Sequence, residues 1–141
     1  MKIKLKYAYI GEIITFLINL DLTGKQNRHR IRLVNTLREK YKQIAEEEMT
    51  LIKEYAGVDE EGNPNRKDGV FAIKDVKGFK NQQDELFEEE YVLEGGDYHG
   101  MLKTMKPIVL DYEGKVSGRE AFVLDHLCEA FENAEQESDK E

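Results

Sequence analysis

The chain of 141 residues has no tryptophan, two prolines and one cysteine. A single thiol, Cys128, rules out an internal disulfide and any cysteine-rich metal site, which suits a reducing cytosol. With so little proline and no internal repeat, no stretch has the composition of a linker. One domain over residues 1–134 is expected, followed by an acidic, frayed tail over 135–141. Long apolar runs are missing too. The stretch Ile13–Ile18 is hemmed in by Glu12 and Asn19 and broken by Thr15. Lys2, Lys4 and Lys6 precede it, yet it is too short to span a bilayer and no small-residue cleavage site follows. A soluble, cytoplasmic chain with no targeting segment and no membrane contact is expected.

The spacings that carry chemistry are also missing. Gly24-Lys25 lacks the upstream glycine and the following Ser/Thr of a phosphate-binding loop. Asp59, Glu61, Asn63 and Asn65 suggest a calcium loop, but Pro64 stands where that loop needs Gly and Val70 where it needs Glu. His126 and Cys128 lie two apart, which on a helix sends them to opposite sides. Cys128 belongs to an apolar stripe, so a buried thiol is expected and not a nucleophile. His99 stands alone, and no Ser/His/Asp arrangement is visible. No enzyme activity, metal or cofactor is expected.

What the chain does have is segregated charge. Residues 1–43 hold ten Lys/Arg against three Asp/Glu, a net of +7, whereas residues 44–141 hold 11 against 26, a net of −15. Such a split favours binding, either to two kinds of partner or between the chain's own ends. Lys25, Arg28, His29, Arg30 and Arg32 gather where a long helix begins, and there positive charge opposes the macrodipole. Lys25, Arg28, Arg30 and Arg32 are candidates for binding an anion, a phosphate backbone or an acidic partner. The competing expectation is that acids of the C-terminal part neutralise them internally, and that is the one favoured. Glu46–Glu48 and Glu88–Glu90 are acidic triplets that spread over about 200° of a helix, so they do not converge on a substrate. Asp84, Glu85, Glu88 and Glu89 form a candidate acidic face.

Periodicity predicts a mainly α fold, α+β with a minor β element. K-I-K-L at the start is a short strand. Ile10, Ile13, Ile14, Leu17 and Ile18 fall at helical spacing, with Gly24 as the expected stop. The longest helix is placed over residues 29–55, ended by Gly57. Its stripe includes Leu37, Tyr41 and Ile44, which are candidates for an interface between copies because the stripe exceeds what one small core needs. Val70–Ile73 and Tyr91–Leu93 are expected strands and 75–90 a polar helix. A short helix over 97–105 is limited by Pro107. A last helix opens on a Ser117/Glu120 capping box, with Val116 and Ala121 as its hydrophobic staple. It carries the stripe Ala121, Leu124, Leu127, Cys128, Phe131 and Ala134.

Several phrases together carry a resemblance. They are M-K-I-K-L-K, L-D-L-T-G-K-Q, N-R-H-R, E-Y-A-G-V-D-E-E-G-N-P, E-L-F-E-E-E-Y-V-L-E-G-G and S-G-R-E-A-F-V-L-D-H-L-C-E-A-F-E. Over nearly the whole chain they resemble a family of small proteins from tailed phages and prophages of Gram-positive bacteria, a domain of unknown function. The resemblance implies expression in an infected host cell, with no catalytic residue to carry over. The expected function is therefore non-enzymatic: contact with a phage or host protein in virion assembly or host takeover, in the host cytoplasm or on the virion. An inhibitor of an anti-phage defence system acting by acidic nucleic-acid mimicry is the first alternative. Nucleic-acid binding through the basic segment 25–42 is the second.

Overall fold

The alternating K-I-K-L-K opening forms strand β1 (Lys2–Lys6) in the computed structural model, which describes residues 1–134. The expected tail over 135–141 lies outside the described residues. Next come helix α1 (Tyr7–Ile18), helix α2 (Gly24–Ala56), strands β2 (Arg66–Lys67) and β3 (Val70–Phe71), and helix α3 (Val76–Glu88). Strand β4 (Glu90–Glu94), helix α4 (Gly96–Leu110) and helix α5 (Arg119–Glu132) complete the order. The fold is mainly α, with a small two-stranded sheet that ties the N-terminus to the middle of the chain.

In that sheet β1 and β4 run antiparallel, with Ile3 opposite Leu93 and Leu5 opposite Tyr91. Ile3, Leu5 and Leu93 point into the core, while Lys4 and Glu94 face water. Lys2 stands opposite Glu94 and Lys6 opposite Glu90, so unlike charges pair across the strands. The first expected strand and the one at 91–93 are thus partners of each other.

Helix α1 is apolar on most sides and is buried on most sides, with Ile10, Ile13 and Leu17 fully covered. It crosses α2, whose Leu33, Val34, Leu37 and Ile44 close over it. Gly24 does not stop α1. That helix ends at Asn19, and Gly24 (φ +57°) opens α2, five residues before the expected start. Left-handed backbone at Gly24 turns the chain into the new helix, a task glycine performs without steric cost. At the far end Gly57 (φ +74°) caps α2, its N–H donating to the Lys53 carbonyl at 2.8 Å. Spanning 33 residues, α2 is about 50 Å long.

The loop after α2 holds structure that periodicity missed. Asp59 Oδ1 accepts the backbone N–H groups of Glu61 and Asn63, at 2.9 and 3.0 Å. Asp68 (φ +54°) and Gly69 (φ +82°) then turn β2 into β3. Two consecutive left-handed residues, Asp then Gly, are the signature of a tight hairpin. Helix α3 starts on Asp75, whose carboxylate accepts from Gly78 N–H at 3.0 Å, and buries none of its residues.

Two expected helix boundaries are overturned. Pro107 sits inside α4, which continues to Leu110 because Val109 is drawn into the core at 1% exposure. The capping box is not formed either. Gly118 (φ +57°) occupies the N-cap of α5 with no side-chain cap bond, leaving Ser117 exposed and Glu120 inside the first turn. The buried face of α5 is Val123, Leu127, Ala130 and Phe131, with Ala121, Leu124, Cys128 and Ala134 at its margin. Ser117→Ala is therefore expected to change stability by less than about 0.5 kcal/mol, and Leu127→Ala to cost about 2–5 kcal/mol. Urea unfolding followed by circular dichroism measures both.

Candidate partner interface

The first turns of α2 carry the basic cluster. Lys25, Arg28, His29 and Arg32 are spaced i, i+3, i+4 and i+7, so they line one face of the helix. His29 is buried within that face and its Nδ1 lies 2.8 Å from Thr104 Oγ1 on α4. Burial, followed by the charges of Arg32 and Lys25, holds His29 below the usual histidine range. Lys25, Arg28 and Arg32 stay in water.

Arg30 points the other way and has a different role. Only 8% exposed, it donates from one terminal nitrogen to the carbonyls of Leu17 (2.8 Å), Ile18 (3.2 Å) and Leu20 (2.6 Å). Its other terminal nitrogen donates to Asn27 Oδ1 at 2.6 Å, while Nε has no partner. A guanidinium thus satisfies carbonyls that the end of α1 leaves orphaned, and its charge sits at the negative end of the α1 dipole. It serves the fold and is unavailable to a ligand.

The ion pairs do not neutralise the remaining three cations. Among the described residues Lys6 pairs with Glu88 (2.9 Å), Lys80 with Asp84 (3.0 Å) and Arg119 with Glu12 (2.9 Å). None of these involves Lys25, Arg28 or Arg32, and α2 has no acid in its first turn. The favoured expectation, internal neutralisation of this cluster, is not what the fold builds. Acids of the C-terminal part meet the lysine of β1 instead.

Of the expected interface residues, Leu37 and Ile44 lie in the chain's own core, at 0% and 2% exposure. Tyr41 is 51% exposed and lies flat over Gly11 of α1, where a Cβ would come within 2.9 Å of its ring. The apolar stripe of α2 is thus largely covered from within. Asp84, Glu85, Glu88 and Glu89 are all exposed. Asp84 and Glu88 are held in the ion pairs above, which leaves Glu85 and Glu89 on the wall of a groove between α2 and α3. That groove, about 360 Å³, is lined by Glu47, Leu51, Gln82, Glu85, Leu86 and Glu89, and by no Lys or Arg.

A second cleft, about 490 Å³, runs between β1 and α5 past Lys4, Tyr9, Asp125, His126 and Glu129. His126 Nε2 accepts the Lys6 backbone N–H at 3.1 Å, and its ring stacks on Tyr9 at 4.5 Å. That bond requires the neutral ring and occupies the nitrogen a general base would use. Sequence spacing placed His126 away from Cys128 but gave no sign of its tie to β1, 120 residues earlier. Burial raises the Cys128 thiol above its usual range, and Sγ donates to the Val109 carbonyl at 3.7 Å. Neither side chain is arranged for attack on a substrate. Among the described residues no three His, Cys, Asp or Glu gather as a metal set, and no helix is long and apolar enough to cross a membrane.

Residues 1–138 match the family described as "Protein of unknown function (DUF1617)", and the chain belongs to that family. No curated protein and no solved structure matches it.

Arg30→Met leaves the α1 carbonyls unsatisfied and is expected to cost at least about 2–4 kcal/mol, whereas Arg28→Gln and Arg32→Gln shift stability by less than about 0.5 kcal/mol. Chemical unfolding of the three variants tests the division of the cluster. Burial, then the Lys6 charge, lowers His126 below the usual histidine range, against weaker opposing pulls from Glu129, Glu90 and Asp125. The unfolded chain thus binds the proton first. Stability from this group is complete above about pH 6.5 and is lost as pH falls through 6.5 towards the folded value. His126→Phe is expected to flatten the pH dependence of the thermal midpoint between about pH 7 and 5.5.

Proposed function

We propose that this DUF1617 protein is non-enzymatic and acts by contact with another protein, through the face of α2 that carries Lys25, Arg28 and Arg32. One observation supports this above the rest: among the described residues three exposed cations share one face of α2, Lys25 in its first turn, and none has an ion-pair partner. Lys25, beside the positive end of the α2 dipole, costs the free protein up to about 1 kcal/mol, a cost that an acidic partner removes. The resemblance to tailed-phage and prophage proteins supplies the setting, virion assembly or host takeover in the host cytoplasm.

Nucleic-acid binding by residues 25–42 is the weaker reading. Arg30 is consumed by α1, and the Lys40 ammonium sits over the rings of Tyr7 and Tyr91, 5.0 and 5.1 Å from their centroids. A net charge of −8 also repels a polyanion. Acidic mimicry by the Asp84/Glu85/Glu88/Glu89 face is weakened in turn, because two of those four acids, Asp84 and Glu88, are already paired.

The test compares wild type with Arg28→Glu/Arg32→Glu by affinity purification from phage-infected cells and quantitative mass spectrometry. A protein retained by wild type and depleted at least about tenfold by the reversal is the expected result. Equal retention by both sinks the role of this face. Binding of duplex DNA with a steep salt dependence transfers the face to the nucleic-acid reading.

A further inference from the structure

Among the described residues three cations on α2 have no ion-pair partner, and a groove of the same chain is lined by carboxylates with no Lys or Arg. The groove of Glu47, Glu85 and Glu89 lies along the later half of α2, where α3 packs through Gln83 on Glu48 (3.0 Å) and Phe79 on Tyr55 (5.8 Å between rings). From Arg28 to Glu47 is 19 residues along one continuous helix, about 28 Å at 1.5 Å per residue. That is more than three times the ~8 Å screening length of physiological salt, so the two surfaces cannot neutralise each other within one copy.

Between copies they match in three respects. The stripe is positive and every charge lining the groove is negative. Their spacing is comparable as well: Arg28 and Arg32 are one helical turn apart, about 5–6 Å, and Glu85 in the last turn of α3 is followed four residues on by Glu89 at its C-cap. The groove floor, moreover, is Leu51 and Leu86, half-buried apolar side chains on which the aliphatic stem of an arginine can lie while its guanidinium reaches the carboxylate rim. Lys25, one turn before Arg28, extends the same line of positive charge.

We infer that the protein assembles head-to-tail with a second copy, the Lys25/Arg28/Arg32 stripe of one seated in the Glu47/Glu85/Glu89 groove of the next. This rests on the reading of the stripe as a protein-docking face and names its occupant. Different surfaces meet, so the contact is heterologous and repeats: the copies close into a ring if the rotation allows, and otherwise extend as a filament. The unpaired charges also give the assembly its control, since association driven by exposed ion pairs weakens as salt rises.

Sedimentation velocity of the full chain across concentration, at low and at physiological salt, is the first measurement. Species larger than a monomer are expected at low salt, retreating as salt is added. Arg28→Glu/Arg32→Glu and Glu85→Lys/Glu89→Lys are each expected to stay monomeric, with association weakened about a hundredfold or more by the like charges now facing each other. Mixed in equal amounts, the two variants are expected to recover assembly, because each supplies the sign the other lost. Failure of the mixture to assemble overturns the inference, as does a wild type that stays monomeric at low salt. Should a reversal variant not fold, Arg28→Gln/Arg32→Gln and Glu85→Gln/Glu89→Gln replace it, and undiminished association by either pair is equally fatal. A monomeric wild type that still loses a different protein on Arg28→Glu/Arg32→Glu leaves the docking face standing and removes only the second copy.

Discussion

The hairpin of α1 and α2 hangs on one buried guanidinium. The carbonyls of Leu17 and Ile18 at the end of α1 and of Leu20 in the turn beyond emerge together, and the end of a buried helix cannot leave such groups bare. Arg30 reaches back from α2 to all three and is itself steadied by Asn27. Burying a charge is expensive unless it is hydrogen-bonded, and here four bonds of 2.6–3.2 Å meet that need. With the turn held, Leu33, Val34 and Leu37 come down on Ile10, Ile13 and Leu17, and the core follows. The same constraint faces Arg30 inward and leaves Arg28 and Arg32, two residues to either side, on the outer side of α2.

The charge split of the sequence is thus resolved by location. The lysines of β1 face acids because the strand is paired with β4, with Lys6 on Glu88 and Lys2 opposite Glu94. Arg30 is answered by backbone carbonyls. For Lys25, Arg28 and Arg32 no ion-pair partner is found among the described residues. The acids of the later half of α2, Glu46, Glu47, Glu48 and Glu54, are held away from them along a rigid helix. A long helix is an efficient way to keep opposite charges apart, since its backbone bonds resist the bend that would let them meet.

Much of this was legible in the sequence, and the limits have physical causes. Strong periodicity revealed α1, α2 and α5, because a 3.6-residue repeat of apolar side chains has few other uses. Gly57 stopped α2 as its position suggested, while Gly24 misled, since left-handed glycine serves the entry to a helix as readily as its exit. Ser117 and Glu120 have the spacing of a cap, but Gly118 took the N-cap position and the box had no helix end to close. Pro107 marks a boundary by local rules, and burial of Val109 overrode it. The Asp68-Gly69 hairpin had a clear signal in those two residues. The tie of His126 to Lys6 had none, because contacts across 120 residues leave no local trace.

The division of the basic cluster was beyond sequence reasoning for a related cause. Five positive side chains within eight residues look alike on paper, yet a helix distributes them at 100° steps, and burial of one side converts a single patch into two roles. What decides between the roles is the neighbour on the inner side: carbonyls at the end of α1 for Arg30, a threonine of α4 for His29. The outer three keep full charge and full solvation, so they add little to stability. Exposed charges that the fold leaves unpaired are, as a general rule, the ones that raise the rate of encounter with an opposite charge at long range. The apolar stripe of α2, by contrast, is largely consumed by the core, at Leu37 and Ile44.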